Sequence, residues 1–232
     1  MNTTRRDTRG PWSTRTRGGA EPPSILRGAP HSAIPITVIG AGALGSTVTW
    51  LLAQLGYRQI TVYDFDIVER HNPQNQLYGP AYVGWPKVMA LREIIYHRMG
   101  LRIATKLERF SGGRLRGIVF VCVDTMATRR AIWEATVRRG RGVTLFVEAR
   151  LGREGGRIYT VDPHVPRMHR KYEATLYTDA EAADNPCGRQ PIAPTVAVVA
   201  GHAVSAMLHA VPGTGSEVTV SLHPIVLTEE TF

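Results

Sequence analysis

The feature that most limits what this chain can fold into is the run Gly40-Ala41-Gly42-Ala43-Leu44-Gly45. It follows the short apolar stretch 34–39 and opens a stretch, 43–55, with helical character that stops at Gly56. A glycine turn between a buried strand and a helix does three mechanical jobs. Gly40 permits the tight turn, Gly42 lets the backbone approach a phosphate, and Gly45 lets the helix pack close to the sheet. The free amides at the helix start then face an anion with a favourable dipole. A second β-rich run, 59–63, ends at Asp64, 19 residues beyond Gly45. A carboxylate at that place can accept hydrogen bonds from both hydroxyls of a ribose. Together these residues predict a dinucleotide or nucleotide-binding βαβ unit, although they do not separate a nicotinamide dehydrogenase from an ATP enzyme.

The pattern continues in alternation. Residues 87–99 read as an amphipathic helix, 101–107 and 117–123 as strands, 125–139 as a helix and 143–149 as a strand. Between them, 65–83 carries Pro73, Gly79 and Pro80 and reads as loop. Alternating β and α elements predict a parallel sheet with right-handed crossovers. After Gly152 the rhythm changes: a strand at 157–161, loop over 162–190, an apolar helix at 192–208, and a hairpin from 218–222 and 225–228. The fold class expected is α/β, a Rossmann-like, mainly parallel sheet with flanking helices and a C-terminal antiparallel extension.

Charge bears on partners. The formal net charge is +9, which invites a nucleic-acid reading because Lys and Arg gain affinity by releasing phosphate counterions. The distribution argues against it as the main role. Arg5, Arg6, Arg9, Arg15, Arg17 and Arg27 face only Asp7 and Glu21 before residue 34. They sit in a stretch rich in Gly, Pro, Ser and Thr that reads as a disordered basic tail, 1–33, ahead of one folded domain, 34–232. No base-reading motif accompanies the charge. No run of eighteen apolar residues and no secretory apolar core appears, so a cytoplasmic protein without a membrane span is expected. Two cysteines, Cys122 and Cys187, are too few for a disulfide framework or a four-thiolate zinc site, and no zinc is expected. His202 and His209, seven residues apart on one expected helix, read as packing rather than as a metal site.

The segment after Asp64 narrows the choice. Asp64, Asp66, Asn72, Asn75 and Gln76, then Val83, Gly84 and Lys87, stand in the order and spacing of D-x-D, N-x-x-R-Q and V-G-x-x-K. Further on, Cys122, Asp124 and Arg129 follow C-x-D-N-x-x-x-R. Over about residues 34–210 the chain resembles the ThiF/MoeB/HesA family, which includes the adenylation domains of ubiquitin-activating enzymes. The resemblance implies an ATP-dependent adenylyltransferase that activates the C-terminal carboxylate of a small ubiquitin-like or sulfur-carrier protein. It implies that Gly40, Gly42 and Gly45 line the nucleotide turn, that Asp64 binds ribose, and that Asn72 and Gln76 face the ATP. It further implies that Lys87 neutralises phosphate charge as pyrophosphate leaves, that Asp124 holds Mg²⁺ beside the phosphates, and that the protein is a homodimer. The chemistry is coherent, since attack of a carboxylate on the α-phosphorus needs cations over the phosphate oxygens, and Mg²⁺ takes one or two carboxylates plus phosphate oxygens.

Each residue also has a plainer reading. Lys87 can be a solvated helix lysine, Asp124 a helix cap, and Asn72 and Gln76 ordinary loop polar groups. The chain departs from the pattern as well. Asn75 stands where the family has arginine, and Thr125 where it has asparagine after the aspartate. Asparagine lacks the permanent charge and bidentate fork of arginine. Arg70 and Arg129 are the candidates to compensate, and an arginine of the tail such as Arg27 is a candidate to reach a partner subunit's ATP. Cys187, between Asp184 and Arg189 and just before the 192–208 helix, corresponds to the crossover-loop cysteine of ThiF-like proteins. Near Arg189 and a helix start its thiol would ionise more readily and could accept the acyl group; as an incidental thiol it would do nothing. Two alternatives stay open: a non-catalytic nucleotide-binding scaffold or sensor of the same fold, and an NAD(P)-dependent oxidoreductase.

Overall fold

In a computed structural model, residues 33–138, 142–152, 154–177 and 193–232 are described. Cys187 and all of the expected tail except Ala33 lie outside them.

Eight strands make one sheet: β1 (Pro35–Ile39), β2 (Gln59–Asp64), β3 (Ala104–Leu107), β4 (Gly117–Val121), β5 (Val143–Leu151), β6 (Gly155–Val161), β7 (Ser216–Leu222) and β8 (Ile225–Thr231). Their order across the sheet is β3-β2-β1-β4-β5-β6-β7-β8. Every pairing from β3 through β5 is parallel. From β5 onward every pairing is antiparallel. The expected mainly parallel sheet with an antiparallel extension is what the chain forms, with the change of direction at β5.

The parallel strands are apolar on both sides because helices cover both faces. In β4, Ile118 and Phe120 turn to one core while Val119 and Val121 turn to the other. The first core receives Val48 and Leu52 of helix α1 (Ala43–Gln54), Leu91 and Ile95 of α2 (Lys87–Met99), and Val199, Ala203 and Met207 of the apolar C-terminal helix. The second receives Ile132 of α3 (Met126–Ile132), Trp133 just after it, and Met168 and Tyr172 of α4 (Pro166–Glu173). Each buried Val, Leu, Ile or Met among them contributes about 1.5–3 kcal/mol of hydrophobic stabilisation. The C-terminal helix, α5 (Ala193–His209), carries Pro194 in its first turn, where a missing amide hydrogen costs little.

Four local readings are corrected. The strand expected over 101–107 spans only Ala104–Leu107, because Leu101 and Ile103 are buried under α2 before the pairing with β2 begins. The helix expected over 125–139 is α-helical only to Ile132 and continues as a π turn, Trp133–Val137. That wider turn sets the Trp133 indole against Phe146 and Tyr172. The stretch read as loop after residue 162 contains α4, whose Met168 and Tyr172 are fully buried. Cys122 follows the strand it was expected to share, since β4 ends at Val121.

Candidate functional site

A cleft of about 1790 Å³ runs along the C-terminal ends of β1, β2 and β4 and across the antiparallel strands beside them. In open α/β sheets a ligand crevice forms at this edge, where crossovers leave to opposite faces.

The glycine turn forms its floor. Gly40 has φ +96°, and a Cβ there would come within 2.6 Å of the Cys122 carbonyl oxygen. A Cβ on Gly45 would meet the Gly40 carbonyl oxygen at 1.8 Å. Both positions therefore exclude any side chain. Gly42 differs, because a Cβ there would meet nothing within 4 Å. Its bare backbone faces space that the protein leaves open, and Gly40 and Gly42 both line the cleft whereas Gly45 does not. Gly45 serves packing. The turn is tied to its neighbours by the Gly40 amide donating to the Tyr63 carbonyl and the Cys122 amide donating to the Ile39 carbonyl, each at 2.8 Å.

Asp64 closes the next side. Its carboxylate accepts from the Ala41 amide at 2.6 Å and the Asp66 amide at 2.8 Å, which fixes its orientation. A carboxylate has about four acceptor positions, so two remain for hydroxyl donors of a ligand. Buried Tyr78 donates its hydroxyl to the Ala41 carbonyl at 2.5 Å, bracing the next peptide of the turn. Burial raises the Tyr78 hydroxyl well above its ordinary pKa, and the nearby Asp64 charge adds to the rise. It remains a neutral donor.

Lys87 begins α2 and points into the cleft with its side chain only 10% exposed. Its Nζ donates to Asp66 at 2.9 Å, so the second aspartate of the Asp64–Asp66 pair holds the lysine. Asp124 follows β4 at the end of the strand ladder and is exposed in the cleft. Among the described residues its carboxylate has no hydrogen-bond or ion-pair partner. Thr125 caps α3, accepting from the Thr128 amide at 3.3 Å, so the capping job considered for Asp124 falls to its neighbour.

Gln76 lines the cleft, and among the described residues its Oε1 is buried without a hydrogen-bond partner. A buried acceptor left unpaired costs about 1–3 kcal/mol, and a bound donor would recover it. Asn72 does not line the cleft. It is buried, and its Oδ1 accepts from the Glu69 amide at 2.8 Å, which folds the 69–72 turn. What the structure shows of Asn72 is this bracing role.

Of the two arginines considered as substitutes at the Asn75 position, Arg70 is exposed and outside the cleft lining, while Arg129 is buried and lines it. Arg129 is already occupied. Its Nη1 donates to Glu148 at 2.5 Å and to the Ala149 carbonyl at 3.2 Å, and its Nη2 donates to the Val123 carbonyl. Glu148 is fully buried and also receives Arg150 Nε at 2.6 Å, Arg150 Nη2 at 3.0 Å and the Tyr172 hydroxyl at 2.5 Å. Burial alone would raise this carboxyl, but the Arg129 and Arg150 guanidinium groups outweigh it and hold it below its ordinary value. The Cys122 thiol, by contrast, is pushed up to about 12 by burial, so it is no nucleophile near neutral pH.

Reading the sequence missed Arg109, Arg150 and Arg157, all of which line the cleft. Arg109 stacks its guanidinium 4.0 Å over the Phe65 ring. One signal was available: Glu148 and Arg150, two residues apart inside the apolar run 143–151, must share a face of the sheet. Buried charges of that kind are almost always paired. Among the described residues, no group of three or more His, Cys, Asp or Glu side chains is placed to hold a metal unaided, and no helix is long and apolar enough to cross a membrane.

Known proteins resemble this chain in sequence and in fold. The ThiF family model matches residues 31–232. The ubiquitin-like modifier-activating enzyme 5 of Dictyostelium discoideum is 25% identical over 127 residues, 47% of this chain and 33% of that one. The probable adenylyltransferase/sulfurtransferase MoeZ of Mycobacterium tuberculosis is 30% identical over 117 residues, 46% of this chain and 29% of its own. In fold, the crystal structure of E. coli MccB with AMPCPP and MccA superposes with a TM-score of 0.64 at 13% identity, covering 86% of this chain and 64% of that one. The matched stretches make up a third or less of the two curated relatives' own length.

Proposed function

This chain belongs to the ThiF family, and on that premise we propose that it is an ATP-dependent adenylyltransferase acting on the C-terminal carboxylate of a small ubiquitin-like or sulfur-carrier protein. What carries the reading is one juxtaposition: Gly42, Asp64, Lys87 and Asp124 line a single cleft. The similar proteins support it: one activates a ubiquitin-like modifier, one is a probable adenylyltransferase, and MccB has been crystallised with ATP.

In this reading the Gly42 amide region receives the phosphates and Asp64 the ribose. Gln76 takes a donor from the nucleotide. The substrate carboxylate oxygen attacks the α-phosphorus, the bond to the bridging oxygen breaks, and pyrophosphate leaves with the electron pair. Lys87 exchanges its contact with Asp66 for the departing phosphates. Asp124, exposed and without a partner among the described residues, suits a hard cation that prefers carboxylate and phosphate oxygens. Mg²⁺ bound there would supply charge neutralisation on the phosphates. Cys187 then attacks the acyl adenylate, its sulfur bonding to the carbonyl carbon as AMP departs. The protein works as a homodimer in the cytoplasm.

Pyrophosphate–ATP exchange in the presence of Gly-Gly-ending carrier proteins tests this. Exchange should appear, and Lys87→Ala should lower it about 10²–10³-fold, the scale of losing one positioned charge donor. Cys187→Ala should leave exchange intact and abolish the covalent acyl enzyme. Asn75, together with the Arg129 fork spent on Glu148, favours a second reading as a non-catalytic nucleotide-binding partner. ATP binding without exchange would establish that reading, and NADH binding in place of ATP would refute both.

A further inference from the structure

The half of the cleft away from the glycine turn holds a pairing that a sheet ordinarily avoids. Arg150 on β5 and Arg157 on β6 sit directly opposite one another in the antiparallel register. Thr219 on β7 is in turn directly opposite Arg157. Residues opposite one another share a face, and like charges so placed destabilise a sheet by about 0.2–1 kcal/mol. All three line the cleft.

The two guanidinium groups are held in different ways. Arg150 is anchored to buried Glu148 and lies 4.4 Å over the Tyr159 ring. Arg157 keeps 59% of its side chain exposed and reaches Glu217 only at 3.5 Å. One arginine is buried and fixed; the other, held from outside by Glu217 and hydrogen-bonded to Tyr159, stays largely exposed to an incoming anion. From them, we propose that this row, Arg150–Arg157–Thr219, is a binding subsite for an acidic side chain near the C-terminus of the polypeptide being activated. The inference rests on the adenylation reading above and adds the charge of the substrate tail to it.

Geometry gives the position of that acid. The row's centre on β6 is two strands from β4, where Asp124 marks the reacting end. At about 4.8 Å per strand that is roughly 10 Å. An extended chain advances about 3.3–3.6 Å per residue. The acidic side chain should therefore stand about two to four residues before the terminal carboxylate. Glu154, the other acid lining this wing, lies three residues from Arg157, roughly 10 Å along the chain. Exposed charges at that distance are largely screened at physiological salt. Arginine suits the task because its planar fork meets a carboxylate through two hydrogen bonds.

The test uses the full-length protein and synthetic peptides ending in Gly-Gly, with Glu or its isostere Gln two, three or four residues before the end. Two readouts run in parallel: ATP–pyrophosphate exchange, and binding of the same peptides labelled with fluorescein by anisotropy. At one of the three positions, Glu should lower KM and Kd about tenfold relative to Gln, the scale of one charge-assisted bidentate contact. R157Q should erase the difference while the KM for ATP changes less than about twofold. Equal affinity for Glu and Gln peptides at every position overturns the proposal, as does failure of all of them to bind. A rise in the KM for ATP in R157Q also overturns it, because the arginines would then serve phosphate. Exchange without charge preference sinks this inference alone, whereas charge-selective binding without exchange upholds it and sinks the adenylation reading.

Discussion

Gly42 and Gly45 lie three residues apart in one turn, yet a methyl group added to each should do opposite things. Gly45→Ala drives a Cβ into the Gly40 carbonyl at 1.8 Å, so it should cost at least about 3 kcal/mol of stability, the upper range for overpacking. Urea denaturation reads that loss. Gly42→Ala meets no protein atom within 4 Å and should leave the urea midpoint near that of the parent. Its ATP affinity should nevertheless fall at least about tenfold, since the methyl occupies the approach to the phosphates. Unchanged ATP affinity in Gly42→Ala would remove the phosphates from this turn. Asp66→Asn tests the neighbouring contact. Without its carboxylate partner, Lys87 no longer exchanges one anion for another, so ATP should bind more tightly in low salt, as isothermal titration would report. These residues were legible because short-range spacing encodes them: turn, strand end and helix start follow within a few residues of one another. Asn72 is harder to read for the complementary reason. A buried asparagine that folds a turn and one that touches a ligand look alike until the amide it serves, that of Glu69, is known.

Between elements, the buried carboxylate of Glu148 joins four pieces of chain. Arg129 brings α3 and the Val123 carbonyl to it, Arg150 brings the Thr175 carbonyl at 2.8 Å, and Tyr172 brings α4. Breaking a buried ion pair from one side costs about 3–5 kcal/mol because the abandoned charge stays buried, so Glu148→Ala should lose stability on that scale. The pH dependence has a definite sign. Glu148 has its folded value depressed below the ordinary 4.5. Its contribution is therefore fully present above that ordinary value and is lost as pH falls below it, towards the folded value. In Glu148→Gln, denaturation midpoints measured from pH 6 down to pH 3 should fall less steeply than in the parent. An equal slope would place the acid sensitivity elsewhere. Little of this web could be read in advance. The alternation of Glu148 and Arg150 in an apolar strand announced paired charges, but their partners come from residues 129, 172 and 175, which only the folded chain brings near. The helix α4 went unread for a related cause. It is eight residues of mostly polar sequence, Pro166–Glu173, and the burial of Met168 and Tyr172 against Phe146 and Trp133, more than local propensity, holds it in place.

At the scale of the whole molecule, the alternation of elements up to residue 149 revealed the parallel half, and the change of rhythm after Gly152 revealed the antiparallel half. The register that sets Arg150 against Arg157 could not be read, because no local pattern encodes how β5 pairs with β6. β5 is the seam, parallel to β4 on one side and antiparallel to β6 on the other. A seam of this kind removes the freedom that two-lobed enzymes exploit when they clamp shut on a substrate. Neither half can hinge away from the other without breaking a ladder at Phe146, Val147 and Glu148, the residues of β5 that pair on both sides. The described halves should accordingly melt together, giving one calorimetric peak whose van't Hoff and calorimetric enthalpies agree, with the slowest-exchanging amides shared among β4, β5 and β6. Whatever enters the cleft meets a sheet that cannot fold around it, and the fit must come from side chains and from the guest.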